Sequence, residues 1–251
     1  MKKTVIKLLQ KPKLNKPVLV SGLPGMGYVG KLAAEHLLEV LRAKKFAEIM
    51  SPHFPHHVVV EPGGILRPLR NELYWARLDG RDIIILAGDV QPVSSEGHYE
   101  LVDCILNLAE KMGVKRIFTL GGYATGKYSE MQPKVICMGN SKLLKEINSK
   151  GIKVEKSGGP VIGTAGLLLG FGQLRGIPGL CFLGETHGMV VDPRAAQAVL
   201  EVLAETLGVK FDMTNLKQRA KMAKEILSRI RREAEARETR GREEEKPWYI
   251  G

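Results

Sequence analysis

Short apolar runs alternate with amphipathic segments along most of the chain. Residues 17–21 and 83–87 are continuous apolar runs of strand length, typical of strands covered on both faces. Residues 28–42 and 194–207 instead repeat apolar residues at helical spacing, and Asp192-Pro193 gives the second segment a cap and a first-turn proline. This alternation predicts an α/β fold, a three-layer α/β/α sandwich with a mainly parallel central sheet.

The remaining predicted elements continue this alternation. Strands are predicted at residues 58–60, 74–76, 116–120, 135–138 and 180–183, and helices at residues 99–111, 142–149 and 165–173. Residues 1–16 hold six lysines and no acid, and are predicted to be a basic arm or an edge element. No composition break precedes residue 210, so residues 1–210 are predicted to form one α/β domain.

The pattern changes after Phe211, where a long charged segment carries a heptad-like apolar seam. The seam residues, spaced alternately by four and three, are Leu216, Ala220, Ala223, Leu227, Ile230 and Ala234. This spacing predicts a C-terminal helix over residues 211–241 that either lies across its own domain or pairs with other copies in an oligomer. Residues 242–251 are predicted to be a flexible tail.

Composition is that of a soluble globular protein. The formal net charge of +11 falls mainly in two basic groups, the N-terminal arm and residues 215–246, without the interleaved aromatic residues of nucleic-acid binders, which disfavours that function. No segment reaches the roughly 20 apolar residues of a membrane span, and the N-terminus lacks the apolar core of a signal peptide. We therefore predict a cytoplasmic protein. Asn and Gln together number 12, which favours a thermophilic source.

Two glycine clusters are candidates for ligand loops. Residues 25–30 have the Gly-x-Gly-x-x-Gly spacing of dinucleotide-binding turns, between a predicted strand and a predicted helix. Glu48 lies near the distance expected for an acid that binds ribose, but in no clear strand, so a tight strand-to-helix turn is the favoured interpretation. The second cluster, residues 158–170, lacks the lysine of a phosphate-binding loop and is interpreted as close helix packing.

The histidines and cysteines indicate no metal site. The segment His53-Phe54-Pro55-His56-His57 supplies metal-binding nitrogens, but no acid or cysteine near it in sequence completes a set. The cysteines match no zinc or disulfide spacing and are predicted to be buried thiols in a reducing compartment: Cys104, Cys137 and Cys181. We therefore predict neither a metal nor a cofactor.

Ser95, His98 and Asp103 are the residue types of a catalytic triad within one short stretch. No Gly-x-Ser-x-Gly elbow accompanies them, so a structural role is favoured and no catalytic residue is assigned. Several other residues fall near the predicted carboxyl ends of strands, where α/β sheets hold ligands. They define a candidate small-ligand pocket, with no reaction assigned to it, made of Gly25, Gly27, Asp89, Gly122, Tyr123 and Glu185.

The end of the chain switches from polar to apolar residues. Pro247 prevents a helix from continuing, and Trp248-Tyr249-Ile250 places three large apolar groups near a terminus. Exposed there, they would favour association. They either fold back on the domain or fill pockets on a partner, as aromatic anchors do.

Several of these segments together resemble the archaeal relatives of the eukaryotic proteasome assembly chaperones. In the family's order, over residues 15–207, they are Gly22-Leu23-Pro24-Gly25-Met26-Gly27-Tyr28-Val29-Gly30, Gly88–Pro92, Gly97–Glu100, Thr119–Gly126, Gly163–Leu168 and Leu183–Thr186. The resemblance implies a three-layer domain like that of nucleoside phosphorylases, without established catalysis, that forms homo-oligomers or assembles with a paralogue. It also implies ATP-independent binding to the α-subunits of the 20S proteasome, which assembles or activates that particle.

Some family members end in a hydrophobic residue, tyrosine and any residue, a peptide that enters pockets between α-subunits. Trp248-Tyr249-Ile250 resembles this ending, but Gly251 follows, so the tyrosine is third from the end instead of second. We predict that Trp248, Tyr249, Ile250 and Gly251 bind a partner. The alternative hypothesis is a nucleotide-dependent ligase or a nucleoside-phosphorylase-like enzyme that uses the glycine-rich pocket at the strand ends.

Overall fold

The computed structural model of the chain describes residues 1–127, 129, 131–148, 152, 154, 158–223 and 225. Its strands are β1 (Val5–Leu8), β2 (Val18–Ser21), β3 (Lys44–Met50), β4 (Val58–Glu61), β5 (Ile65–Pro68), β6 (Asn71–Leu78), β7 (Arg81–Gly88), β8 (Arg116–Ala124), β9 (Val135–Gly139) and β10 (Gly179–Thr186). Its helices are α1 (Val29–Val40), α2 (Ser95–Lys111), α3 (Ser141–Asn148), α4 (Thr164–Leu174) and α5 (Pro193–Leu207), and a short 3-10 turn (Met26–Tyr28) precedes α1.

Eight of these strands form one mixed sheet in the order β1-β3-β6-β7-β2-β8-β10-β9. The four central strands β7, β2, β8 and β10 are parallel to one another. The strands on both sides of them are joined by antiparallel pairs. The predicted α/β fold is confirmed, with the parallel pairing confined to the centre of the sheet.

Each face of the central strands is covered by helices. Val20 and Phe118 lie in the cluster beneath α1 and α5, whereas Leu19 and Ile117 lie in the cluster beneath α2 and α4. Because side chains alternate between the faces of a strand, a continuous apolar run such as β2 supplies both clusters. The three-layer arrangement therefore follows from the runs seen in the sequence.

Two strands, β3 and β4, differ from the sequence prediction. The pattern does not predict β3, whose Lys45 and Glu48 interrupt the apolar residues and form ion pairs on an open face of the sheet. Residues 58–60 do form a strand, β4, but it pairs with β5 in a separate hairpin. The basic arm contributes the edge strand β1, antiparallel to β3.

Residues 214–223 are helical, and their first seam residues face the domain. Leu216 is fully buried in the cluster beneath α1 and α5, and Ala220 is also buried. The Asn215 amide donates a hydrogen bond to Glu39 of α1 (2.6 Å). Ala223 is partly buried. Three seam positions and the predicted flexible tail lie outside the described residues: Leu227, Ile230, Ala234 and residues 242–251. No helix in the described part of the chain has the length and hydropathy of a membrane span.

Candidate functional site

The loops after β7, β2, β8 and β10 lie side by side, since the carboxyl ends of parallel strands meet at one edge of the sheet. We call this region the strand-end edge and define it as residues 22–30, 88–92, 122–126 and 184–192. All six residues of the predicted pocket lie on it: Gly25, Gly27, Asp89, Gly122, Tyr123 and Glu185. The structure thus brings the predicted elements together, and their contacts indicate what each one does.

The first glycine turn is packed against protein. Gly27 has φ +61°, and a Cβ there would lie 2.6 Å from Thr186 Oγ1. A Cβ on Gly122 would lie 2.3 Å from the Met26 carbonyl oxygen. The Gly27 N–H donates to the Gly188 carbonyl (3.2 Å), and its own carbonyl accepts from the Asp192 N–H (2.9 Å). The Gly27 N–H, a group that a dinucleotide-binding turn would offer to a pyrophosphate, therefore bonds to the loop between β10 and α5.

Glu48 is not positioned to bind a ribose held by this turn. It lies in β3, which is separated from β2 by β6 and β7 in the sheet. Its carboxylate pairs with Lys45 (2.8 Å), whose hydrogen bond lowers the pKa of Glu48 against the opposing effect of burial. The glycine turn thus has the geometry of the tight strand-to-helix connection that the sequence favours.

Asp89 anchors the β4–β5 hairpin to the sheet. Its two carboxylate oxygens accept from the Arg67 guanidinium at 2.5 and 3.1 Å, and one also accepts from the Arg70 N–H at 3.0 Å. Burial alone would raise the pKa of Asp89, but the hydrogen bonds from Arg67 and Arg70 outweigh it and hold the pKa below its usual range. With these lone pairs occupied, the carboxylate acts as a structural tie.

Gln91 joins the two glycine clusters to each other. Its amide nitrogen donates to the Pro24 carbonyl (2.6 Å), and its amide oxygen accepts from the Thr164 N–H (3.0 Å) at the start of α4. The Gln91 amide is also the nearest group to Gly25 and Gly163, where a Cβ would lie 3.9 and 2.9 Å from it. Both predicted ligand loops are therefore held by one internal side chain.

A cavity of about 230 Å³ opens beside the end of β10. Of the six predicted pocket residues, Glu185 lines it, together with Lys134, His187 and Arg194. Tyr123 pairs with Glu185 across β8 and β10, but its side chain is half exposed to solvent. The described part of the lining carries charges of both signs, and we assign no reaction to it.

His98 and Asp103, two of the three triad-type residues noted in the sequence, have separate partners. His98 Nδ1 lies 2.9 Å from the Ser94 carbonyl oxygen, and Asp103 is paired with Arg175. Ser94, the residue before Ser95, lies 3.3 Å from His53 Nδ1, and its hydroxyl accepts the Gly97 N–H as the cap of α2. These contacts are structural.

His53 and the buried cysteines also occupy structural positions. His53 Nε2 lies 3.7 Å from Glu100. Among the described residues, no three His, Cys, Asp or Glu side chains converge as metal ligands would. Burial raises the pKa of Cys137 to about 12 and that of Cys181 to about 11, so both thiols stay protonated at neutral pH. The prediction of buried thiols is confirmed for these two, whereas Cys104 is half-buried.

The outer surface of the strand-end edge is apolar. Large side chains in its loops, and in the loop before α4, are exposed to solvent; we call them the apolar rim, namely Met26, Tyr28, Tyr123, Ile162, Met189 and Val191. Methionine and tyrosine are enriched in protein-binding surfaces because they are adaptable or carry both apolar and polar atoms. Sequence reasoning missed this rim because apolar residues scattered among loop glycines have no periodicity. The arrangement is suited to contact with a macromolecule.

Comparisons with known proteins agree on one family. A model of the PAC2 family matches residues 19–231. The crystal structure of Pyrococcus furiosus PbaB, an archaeal proteasome activator, is 40% identical with a TM-score of 0.87, and the match covers 92% of this chain and 100% of that one. Pyrococcus furiosus PbaA, an archaeal homolog of proteasome-assembly chaperone, is 28% identical with a TM-score of 0.77, over 99% of this chain and 100% of that one. An uncharacterized protein of Methanocaldococcus jannaschii is 36% identical over 95% of this chain and 93% of its own length.

Proposed function

The chain belongs to the PAC2 family, and we propose that it is a cytoplasmic, ATP-independent adaptor that binds the α-subunits of the 20S proteasome to assemble or activate it. The observation that carries this proposal is the strand-end edge. Its loops are bonded to one another through Gly27 and Gln91, Asp89 ties it to the β4–β5 hairpin, and its outer surface is the apolar rim. Such an edge favours binding of a protein over turnover of a small substrate. The descriptions of PbaB and PbaA support the proteasome as that protein.

The adaptor acts as an oligomer that presents several C-terminal tails. Leu216 and Ala220 pack on the domain, which fixes the start of the C-terminal helix relative to the sheet. Tails that start from equivalent positions in several copies bind a ring of subunits with a raised effective concentration. The tail residues Trp248, Tyr249, Ile250 and Gly251 lie outside the described residues, and their role as anchors is part of the proposal.

Deletion of residues 247–251 tests the tail. We expect the truncated chain to keep its oligomeric state and to lose most of its co-purification with proteasome α-subunits, because aromatic anchors carry a large share of binding free energy. Trp248→Ala should weaken binding about tenfold or more, while the matched control Lys246→Ala, just before Pro247, should change it little. If the intact and truncated chains recovered equal amounts of α-subunits, the tail would have no role in binding them.

A further inference from the structure

Positive charge is concentrated at the edge of the sheet opposite the strand-end edge. Four connections meet there: residues 9–17 between β1 and β2, 41–44 between α1 and β3, 77–82 between β6 and β7, and 111–116 between α2 and β8. We call these residues the basic edge. They include ten lysines and arginines against two aspartates, a net charge of +8, whereas the strand-end edge has three acids and no lysine or arginine.

Backbone contacts hold the four connections side by side. The Asn15 N–H donates to the Asp82 carboxylate (2.6 Å), and the Asp82 N–H donates to the Asn15 carbonyl (2.9 Å). The Lys115 N–H donates to the Pro17 carbonyl (2.8 Å), and the pairing of β3 with β6 places the second connection beside the third. The fold thus gathers cations that are far apart in the sequence into one surface.

Most of these cations lack an acidic partner in the described part of the chain. Arg116 pairs with Glu146 (3.4 Å), but none of the other nine forms an ion pair there. Of the two aspartates of the basic edge, Asp82 is buried and Asp79 is exposed. The surface therefore has an excess of positive charge that its own acids do not neutralise.

The ends of helices account for little of this charge. The helices α1 and α2 end at the basic edge, and cations near a helix C-terminus stabilise its partial negative charge. Each helix end carries about half a unit of charge, so two of them offset roughly one of the eight net charges. A field of one sign that remains after this correction favours association with an anionic partner.

The chemistry of the basic edge favours carboxylates over a nucleic-acid backbone. Six of its ten cations are lysines, whereas bidentate recognition of phosphate favours arginine. Trp75 lies beside the edge, but Lys44 Nζ and the Arg77 guanidinium already lie 6.0 and 5.9 Å from the centre of its ring, which leaves it poorly placed to stack on a base. Phosphates also bind at the N-termini of helices, and α1 and α2 end here instead of beginning.

We propose that the basic edge binds an acidic segment of a second protein, one rich in aspartate and glutamate. The carboxylates of that segment pair with exposed lysines such as Lys13 and Lys115, and the whole edge attracts the segment over a longer range. This inference goes beyond the proposed function, because the basic edge and the apolar rim lie at opposite ends of the strands. An adaptor with two such edges can hold two different proteins at once.

A charge-reversal variant tests the basic edge. Anisotropy of a labelled poly-glutamate peptide, titrated with the full chain in low-salt buffer without proteasome, should show saturable binding that weakens as salt is added. Lys13→Glu combined with Lys115→Glu should lower the affinity about tenfold or more, since both side chains are exposed and face the peptide. Lys13→Gln combined with Lys115→Gln should have a smaller effect, because it removes the positive charges without adding negative ones.

Lys127→Glu combined with Lys134→Glu is the matched control. It makes the same change in net charge at two exposed lysines on the other end of the strands and should alter the affinity less than about twofold, because salt screens distant charges. Absence of peptide binding, or an equal loss in the two charge-reversal variants, would overturn the inference. A single-stranded RNA of equal charge should bind more weakly than the peptide; if it bound more tightly, the basic edge would be a nucleic-acid surface and the inference would be wrong. These results do not depend on α-subunit binding, so either proposal can fail alone.

Discussion

The parallel centre of the sheet and its antiparallel flank differ in how they use their side chains. Residues 82–87 of β7 are all buried, and loops at the strand ends are tied to one another. In the flank, β3 carries ion pairs on an open face, and the β4–β5 hairpin exposes its apolar face. The fold therefore requires the side chains of the centre, whereas exposed side chains of the flank remain available to a partner.

The largest effect is expected from Gly30→Ala at the centre. A Cβ on Gly30 would lie 2.3 Å from the Leu120 carbonyl oxygen, so α1 and β8 would have to separate. We expect a loss of about 3 kcal/mol in the free energy of unfolding, measured by urea denaturation. Gly170→Ala is the control, because it lies on an exposed position of α4 with nothing within 4 Å of its Cβ, and should stabilise the helix by about 0.5–1 kcal/mol. Equal stabilities of the two variants would contradict close packing at the centre.

Asp89→Asn tests the tie between the centre and the flank. The variant removes the carboxylate that ties Arg67 to the end of β7, while Glu61 still pairs with Arg67 within the hairpin. We expect a loss of about 2 kcal/mol in the free energy of unfolding and faster hydrogen exchange in residues 58–68. Asp103→Asn, which removes a more exposed partner of Arg175, should cost about 0.5 kcal/mol or less. Unchanged exchange in the hairpin would show that Asp89 does not hold it.

The same carboxylate predicts a dependence on pH. The pKa of Asp89 is lower in the folded protein than the value of about 3.9 expected for an unfolded aspartate. Its contribution to stability is therefore complete above about pH 5 and is lost as the pH falls through the folded pKa. Urea denaturation from pH 7 to pH 2 should show the difference between the unaltered chain and Asp89→Asn shrinking at the acid end. A difference that stays constant would contradict the assigned ionisation.

The smallest effect is expected from Tyr74→Phe in the flank. The Tyr74 hydroxyl donates to Glu72 (2.6 Å), and burial together with this carboxylate raises the pKa of the tyrosine. Loss of the hydrogen bond should cost about 1 kcal/mol in urea denaturation. Tyr99→Phe serves as the control, since that ring packs edge-on against Phe171 and is 52% exposed, and should be nearly neutral. If Tyr74→Phe left the free energy of unfolding unchanged, the ion pairs of the flank would not depend on the hydroxyl.

The difference between the centre and the flank of the sheet also explains which strands could be predicted from the sequence. The strand β7 was predictable because both its faces are buried, which gives an uninterrupted apolar run, and α5 because Asp192 and Pro193 mark its start. The strand β3 was not predictable. A register shift between Lys45 and Ala47 breaks the alternation of its side chains, and charged residues cover one face.

The position of the candidate site could be predicted from the sequence, but the roles of its residues could not. Parallel strands bring their carboxyl ends to one edge, so Asp89, Gly122 and Glu185 were expected near one another. The role of Asp89 depends on Arg67, which lies 22 positions earlier and on a hairpin outside the main sheet. A contact between such distant positions leaves no periodic signal. The tail, outside the described residues, stays a prediction.

We propose that the chain binds the proteasome α-ring directly and without nucleotide. The most direct measurement is a binding isotherm between the purified full chain and an archaeal 20S proteasome, followed by interferometry in nucleotide-free buffer. We expect saturable binding that is unchanged by added ATP and is lost or strongly weakened when residues 247–251 are removed. Absence of binding by the intact oligomer, or binding that appears only with ATP, would contradict it.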